Sequence, residues 1–143
     1  MSKIILVELI KKWGDKTFFV GEADANRIGK IEQMLGVKLP ESYKWFLNKY
    51  GHGGVFGVEI FGSGLAEIPS CVSSTISWRE FGLPEYLVVI EDDGADWIYC
   101  LDTSSMVDNE CPVVDWAQGE GIGKKKFTNF IEFLLQRFEI LDD

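Results

Sequence analysis

The sequence predicts an α+β domain, a central antiparallel sheet with N-terminal and C-terminal helices packed around it. Three observations carry that expectation. Tyr43, Phe46, Leu47 and Tyr50 recur at i, i+3, i+4 and i+7, the core-facing stripe of a helix. Two β-type runs, residues 86–91 and 96–101, flank the turn-forming Asp92-Asp93-Gly94-Ala95, the pattern of a hairpin. Phe127, Phe130, Ile131, Leu134, Leu135 and Phe138 form the apolar stripe of a closing helix. Helices outside a central antiparallel run make an α+β arrangement with the helices on one face of the sheet.

Taken in order, residues 3–13 read as a first helix, apolar almost all round at Ile4, Leu6, Val7, Leu9 and Ile10, and Gly14-Asp15 ends it. Residues 17–20 are a short extended piece. Asp24 or Asn26 can cap a helix on which Ile28, Ile31 and Leu35 share one face, and Gly36 suits its left-handed C-terminal turn. Pro40 fits the first turn of the next helix, where its missing N–H costs nothing, and Glu41 sits at the positive end of the dipole. Gly51 closes that helix.

Residues 55–61 are β-branched and aromatic and read as one strand, with Gly54, Gly57 and Gly62 as punctuation. Residues 63–69 follow as a loop. The stretch 72–81 is ambiguous; Ile76, Arg79 and Glu80 suggest a short helix that Gly82 stops. After the hairpin, residues 102–105 form a turn, 111–116 a further strand, and 119–123 a flexible connection. Lys124-Lys125-Lys126 reads as a solvated approach to the last helix, with Thr128 or Asn129 near its cap.

At 143 residues, with 46 % hydrophobic and 26 % charged side chains, the chain is expected to fold as a single domain spanning 1–143. No run has the apolar length of a membrane span, and Glu8 interrupts the N-terminal apolar patch with no cleavage signal after it. A cytoplasmic location is expected. Cys71, Cys100 and Cys111 are odd in number, widely spaced and without a C-x-x-C pair, so they read as free thiols rather than a disulfide framework or zinc site.

Fourteen basic against twenty-three acidic residues give a net charge of −9. Such a surface repels phosphate backbones and favours fast encounter with a basic partner. Solubility alone also accounts for acidity in a small protein.

Catalytic chemistry is sparse. His52 is the only histidine and no serine or cysteine stands in a nucleophile motif; the ring reads as exposed, or as capping a helix C-terminus. Gly51-His52-Gly53-Gly54 lacks the lysine and hydroxyl of a P-loop. The run 119–124 ends in Gly-Lys, but Gln118 occupies the first required glycine position and Lys125 the hydroxyl position. Both clusters read as turn glycines. No catalytic residue, metal site or cofactor is assigned.

Glu91, Asp92, Asp93 and Asp96 form the densest acidic cluster. The alternating oxygen ligands of a calcium loop are missing, and Thr103 stands where its closing Glu would be. The cluster is either a solvated hairpin tip or an acidic contact patch. Trp97, Tyr99 and Trp116 nearby favour contact, because such rings are enriched at binding hot spots. Strand alternation puts Trp97 and Tyr99 on one face and Ile98 and Cys100 on the other.

Leu35, Gly36, Leu39, Pro40, Tyr43, Phe46 and Leu47, running into Gly51, Gly53 and Gly54, resemble the hallmark segment of the SUKH superfamily, the Knr/Smi-type domains. Residues 82–90 with 97–102 look like that family's central hairpin, and residues 110–116 like its next strand. The wording is most similar to YobK-type bacterial immunity proteins. The resemblance implies the α+β fold and a non-enzymatic role in binding a cognate toxin, often a nuclease, of a polymorphic or contact-dependent system. Together with the acidic charge it points to a toxin partner with a basic surface; the charge and the lack of a long apolar run lead us to expect no direct nucleic acid and no membrane. Fungal relatives suggest a second role, a regulatory or scaffolding interaction module. The hallmark residues are architectural, and no partner-contacting residue carries over by motif.

Overall fold

The computed structural model describes residues 2–142. Helix α1, Ser2–Trp13, passes through one 3-10 turn, Gly14–Lys16, into strand β1, Thr17–Val20. Helix α2, Ala25–Leu35, is capped by Asp24, whose carboxylate accepts from Arg27 N at 2.8 Å, and it ends at Gly36 with φ 71°. Asp24 rather than Asn26 is therefore the cap, and the left-handed stop lies where the glycine suits it.

Helix α3, Glu41–Lys49, starts one residue later than its proline suggests: Pro40 is the N-cap and has no side-chain acceptor to offer. The acceptors come from far along the chain. Glu110 takes Ser42 N at 2.9 Å and Ser42 Oγ at 2.6 Å, while Asn109 O takes Glu41 N at 2.8 Å. Three backbone or hydroxyl donors at a helix start are thus satisfied by one distant turn.

The run 55–61 is two strands, not one. Strand β2, His52–Val55, turns through Phe56 (φ 52°) and Gly57 (φ 83°) into β3, Val58–Ile60. Both turn residues are left-handed, as a tight hairpin requires. The turn is hidden in the sequence because its first member is Phe rather than Asn or Gly. The Phe56 ring is packed edge-on to Trp13 at 5.4 Å, which offsets its backbone strain.

Helix α4, Ser70–Arg79, is followed by strands β4 (Leu87–Glu91), β5 (Ile98–Asp102), β6 (Val113–Ala117) and β7 (Gly121–Phe127), then helix α5 (Phe130–Asp142). Strand β7 corrects the reading of 119–123 as a connection and of Lys124-Lys125-Lys126 as an approach to the helix. Phe127 belongs to β7 as well, and Asn129 caps α5 by accepting from Glu132 N at 3.0 Å. An edge strand exposed to solvent needs no apolar alternation, so it left none to find.

The strands form two antiparallel sheets, β1-β2-β3 and β4-β5-β6-β7. They meet at Phe61, whose N–H donates to Ile90 O at 2.8 Å. The main core lies between them and the helices: Leu6, Ile31, Tyr43, Phe46, Leu47, Val88, Ile90, Leu101, Phe130 and Phe138 are in it. On the other face of the second sheet a smaller cluster gathers Leu83, Leu87, Val89, Ile98, Cys100, Val114 and Trp116, with Trp78 of α4 against it. That sheet is covered on both faces.

Tyr43 ties α3 to this joint. It is fully buried, its ring stands edge-on to Phe130 at 5.0 Å, and its hydroxyl donates to Phe61 O at 2.7 Å. Burial raises the hydroxyl pKa well above its ordinary value. Tyr43→Phe keeps the ring but leaves the Phe61 carbonyl without its donor. We expect a loss of about 1–3 kcal/mol in urea unfolding, with the m-value unchanged.

A bulge in β4 aims Glu91 inward. Val89 pairs with Cys100 and Glu91 with Tyr99, so one residue is extra and the alternation of faces resets. Glu91, 3 % exposed, then meets Arg137 of α5 through two bonds, 2.9 Å from Nε and 2.7 Å from Nη2. Burial pushes its carboxyl pKa up, and Arg137 pulls it back only part of the way. Removing the cation should cost about 3 kcal/mol at neutral pH, since it strands a buried charge. The sign with pH follows from a folded-state pKa above the unfolded one. Protonation relieves the stranded carboxylate, so the deficit of Arg137→Met shrinks as the pH falls through that raised value. Urea unfolding from neutral to mildly acidic pH measures it.

Candidate partner interface

The β4–β5 turn is built by its own aspartates. Asp92 accepts from Gly94 N at 3.0 Å and Asp93 from Ala95 N at 3.0 Å, the local bonds that make Asp a turn former. The other Asp92 oxygen accepts from Trp78 Nε1 at 2.9 Å, which anchors the tip to α4. Asp92 is therefore partly spent on structure. Asp93 and Asp96 are exposed, and Asp96 has no hydrogen-bond or ion-pair partner among the described residues.

Strand β7 brings a second tip alongside. A cleft of about 570 Å³ opens between the two, lined by Trp78, Ala95, Asp96, Trp97, Gln118 and Glu120, among others. Glu120, like Asp96, is exposed and unpaired among the described residues. The Trp97 ring forms the shared wall of this cleft and of a neighbouring one of about 510 Å³. It is 38 % exposed and lies across the backbone of Gly123, where a Cβ would come within 2.5 Å of the ring and of Asp115 Oδ1. Only glycine permits that approach. Ile122, 44 % exposed, stands beside it.

The seven residues singled out from the sequence thus divide. Asp92, Asp93, Asp96 and Trp97 come together at the tip. Tyr99 is half-buried against Phe133 at 5.1 Å and Phe127, with Arg137 and Lys125 over its ring, so α5 covers the face that alternation assigned to it. Glu91 is enclosed by Arg137. Trp116 is 4 % exposed and packs edge-on to Trp78 at 5.9 Å. These last two leave the contact set, for they are interior residues of a sheet covered on both faces. Glu120 and Ile122 enter it, and the only signal for them was a glycine-rich stretch that reads as a connector.

The hallmark side chains are interior as well. Leu35, Leu39, Tyr43, Phe46 and Leu47 are at most 3 % exposed, and Pro40 is buried beside them. Leu39 N donates to Glu32 Oε2 at 2.8 Å, which closes the Gly36 turn.

His52 neither caps α3 nor stands free. It lies in β2 opposite Val20, stacked on Phe61 at 6.1 Å, with Nδ1 2.7 Å from Ser70 Oγ and Nε2 2.9 Å from Glu59 Oε2. The Ser–His–Glu order has the composition of a hydrolase relay, but its surroundings are those of a brace. Ser70 Oγ accepts from Gly62 N at 2.9 Å. The amides around it are also taken: Ser70 N by Ser63 O, Cys71 N by Gly62 O and Val72 N by Pro69 O. The amides of Ser70 and the two residues after it are therefore not free to face a developing oxyanion. The glycine cluster before it is shaped by crowding: Gly51 has φ 79°, and a Cβ on Gly53 would strike Phe18 O.

Cys71, Cys100 and Cys111 are buried free thiols. Burial pushes Cys71 up to about 11 and Cys111 to about 12, and raises Cys100 too, so none is poised as a thiolate. Among the described residues no three His, Cys, Asp or Glu side chains are grouped to hold a metal, and no helix is long and apolar enough to cross a membrane.

Comparison with known proteins agrees with the hallmark segment. A crystal structure of a protein from Pseudomonas syringae pv. tomato superposes with a TM-score of 0.71 at 16 % identity, over 95 % of this chain and 98 % of that one. At that identity the likeness is one of fold. The family model described as SMI1-KNR4 cell-wall, of the SUKH group, matches residues 5–139. The chain therefore belongs to the SUKH family.

Proposed function

We propose that this protein is an immunity protein: it binds a cognate toxin, a nuclease domain in the first instance, in the cytoplasm and neutralises it by stoichiometric occlusion, without catalysis. One observation carries the reading. Two hairpin tips set Asp96 and Glu120 around the exposed ring of Trp97, with Asp93 exposed on the same turn as Asp96, and no cation of the chain's own is paired to Asp96 or Glu120 among the described residues. A nuclease must present a positive face to phosphate, and an acidic body of net charge −9 is drawn to that face. Trp97 supplies the desolvated anchor that such a contact needs. Family membership supports the same role.

The family's cell-wall description favours a second reading, a regulatory interaction module. Gene neighbourhood separates the two: a toxin gene immediately upstream supports immunity, and an isolated gene supports regulation.

Co-expression with that neighbouring toxin should restore growth and yield a one-to-one complex; no rescue together with no complex by titration rejects immunity. Asp93→Asn with Asp96→Asn and Glu120→Gln should slow association roughly tenfold at low salt and much less at high salt, with dissociation little changed. Asp92 is left intact because it also anchors the tip to Trp78. Trp97→Ala should instead weaken binding about tenfold or more through faster dissociation. Unchanged rates in both variants would show the tips to be solvated surface only.

A further inference from the structure

Exposed sheet edges invite pairing with another chain, and this fold closes or guards two of them. On β4, Val89 N donates to Thr75 Oγ1 at 2.9 Å and Ile90 O accepts from Phe61 N. On β7, Lys124, Lys125 and Lys126 are exposed along the edge. Strand β1 is different. It ends its sheet, it pairs only with β2, and apart from Thr17 N, which donates to Gly14 O, its far-side backbone groups have no partner among the described residues. It also exposes apolar side chains, Phe18 and Val20, 42 % each.

We propose that β1 pairs antiparallel with β1 of a second copy across a two-fold axis at Phe19, forming a symmetric dimer. The strand is self-complementary in that register. Phe18 faces Val20 of the second copy, and by symmetry Val20 faces Phe18, so the exposed apolar pairs cover each other. Lys16 stands immediately before the strand and Glu22 two residues after it; both are exposed and neither is paired among the described residues. Both lie outside the ladder, Lys16 in the 3-10 turn and Glu22 beyond the left-handed Gly21 (φ 76°), and this alignment brings the Lys16 end of one copy to the Glu22 end of the other. Charge and apolar pattern thus agree on one alignment, and the two three-stranded sheets become one continuous sheet. The hairpin tips belong to the other sheet and stay free, so this inference stands apart from the toxin reading.

Sedimentation equilibrium of the isolated protein from micromolar to millimolar concentration tests it. The wild type should shift from monomer to dimer mass. Lys16→Glu or Glu22→Lys alone should weaken the dimer roughly tenfold, because like charges then face each other at both ends. An equimolar mixture of the two variants should restore it, since every facing pair is again of opposite sign. Phe18→Lys should abolish it, with the far-UV spectrum showing that each variant is folded. A wild type that remains monomeric throughout, or a dimer indifferent to both reversals, or a mixture no tighter than its components, overturns the proposal.

Discussion

The hydroxyl of Tyr43 is the contact on which most of this architecture depends. It donates to Phe61 O, and the N–H of the same residue donates to Ile90 O, so one peptide region receives α3 and joins the two sheets. Neither sheet could bury its inner face alone. With three and four strands they are small, and each needs the helices packed against them to exclude water. The aromatic run Tyr43, Phe46, Phe130, Phe133 fills the space between, with ring centroids 5.0 to 6.4 Å apart. A tyrosine is required there because the carbonyl it meets is buried and would otherwise be unsatisfied.

That frame explains why the candidate interface can be precise although it is made of turns. Asp92 is bonded to α4, Trp97 rests on Gly123, and Glu91 is locked to α5 one residue before the tip. The tips are therefore held at both the base and the side. Ordering a contact surface in advance reduces what binding must spend on it. His52, Ser70 and Glu59 serve the other sheet in a comparable way, bracing β2 and β3 against the start of α4.

Much of the site was legible in part only. Asp93, Asp96 and Trp97 could be picked out because turn chemistry and an exposed indole both leave marks in sequence. Glu91 could not be excluded, because a one-residue bulge reverses which face a side chain takes and leaves no compositional trace. Trp116 and Tyr99 needed knowledge of what packs on each face of their sheet. Glu120 and Ile122 were invisible while β7 was read as a connection. The same holds for the Phe56-Gly57 turn, hidden inside a continuous apolar run.

What the sequence by itself determined was local and periodic. Asp24 and Gly36 end α2 as their chemistry requires, the Tyr43 and Phe130 stripes face the core, and the Asp92 turn makes a hairpin. Those signals depend on neighbours within a turn or two, so they survive in a linear reading. Only the tertiary structure decided which partner fills each place: Glu110 at the start of α3, Arg137 against Glu91, and Glu120 beside Trp97. Each joins residues far apart in the chain, and the energy that selects them comes from desolvation and close approach, which no spacing rule encodes.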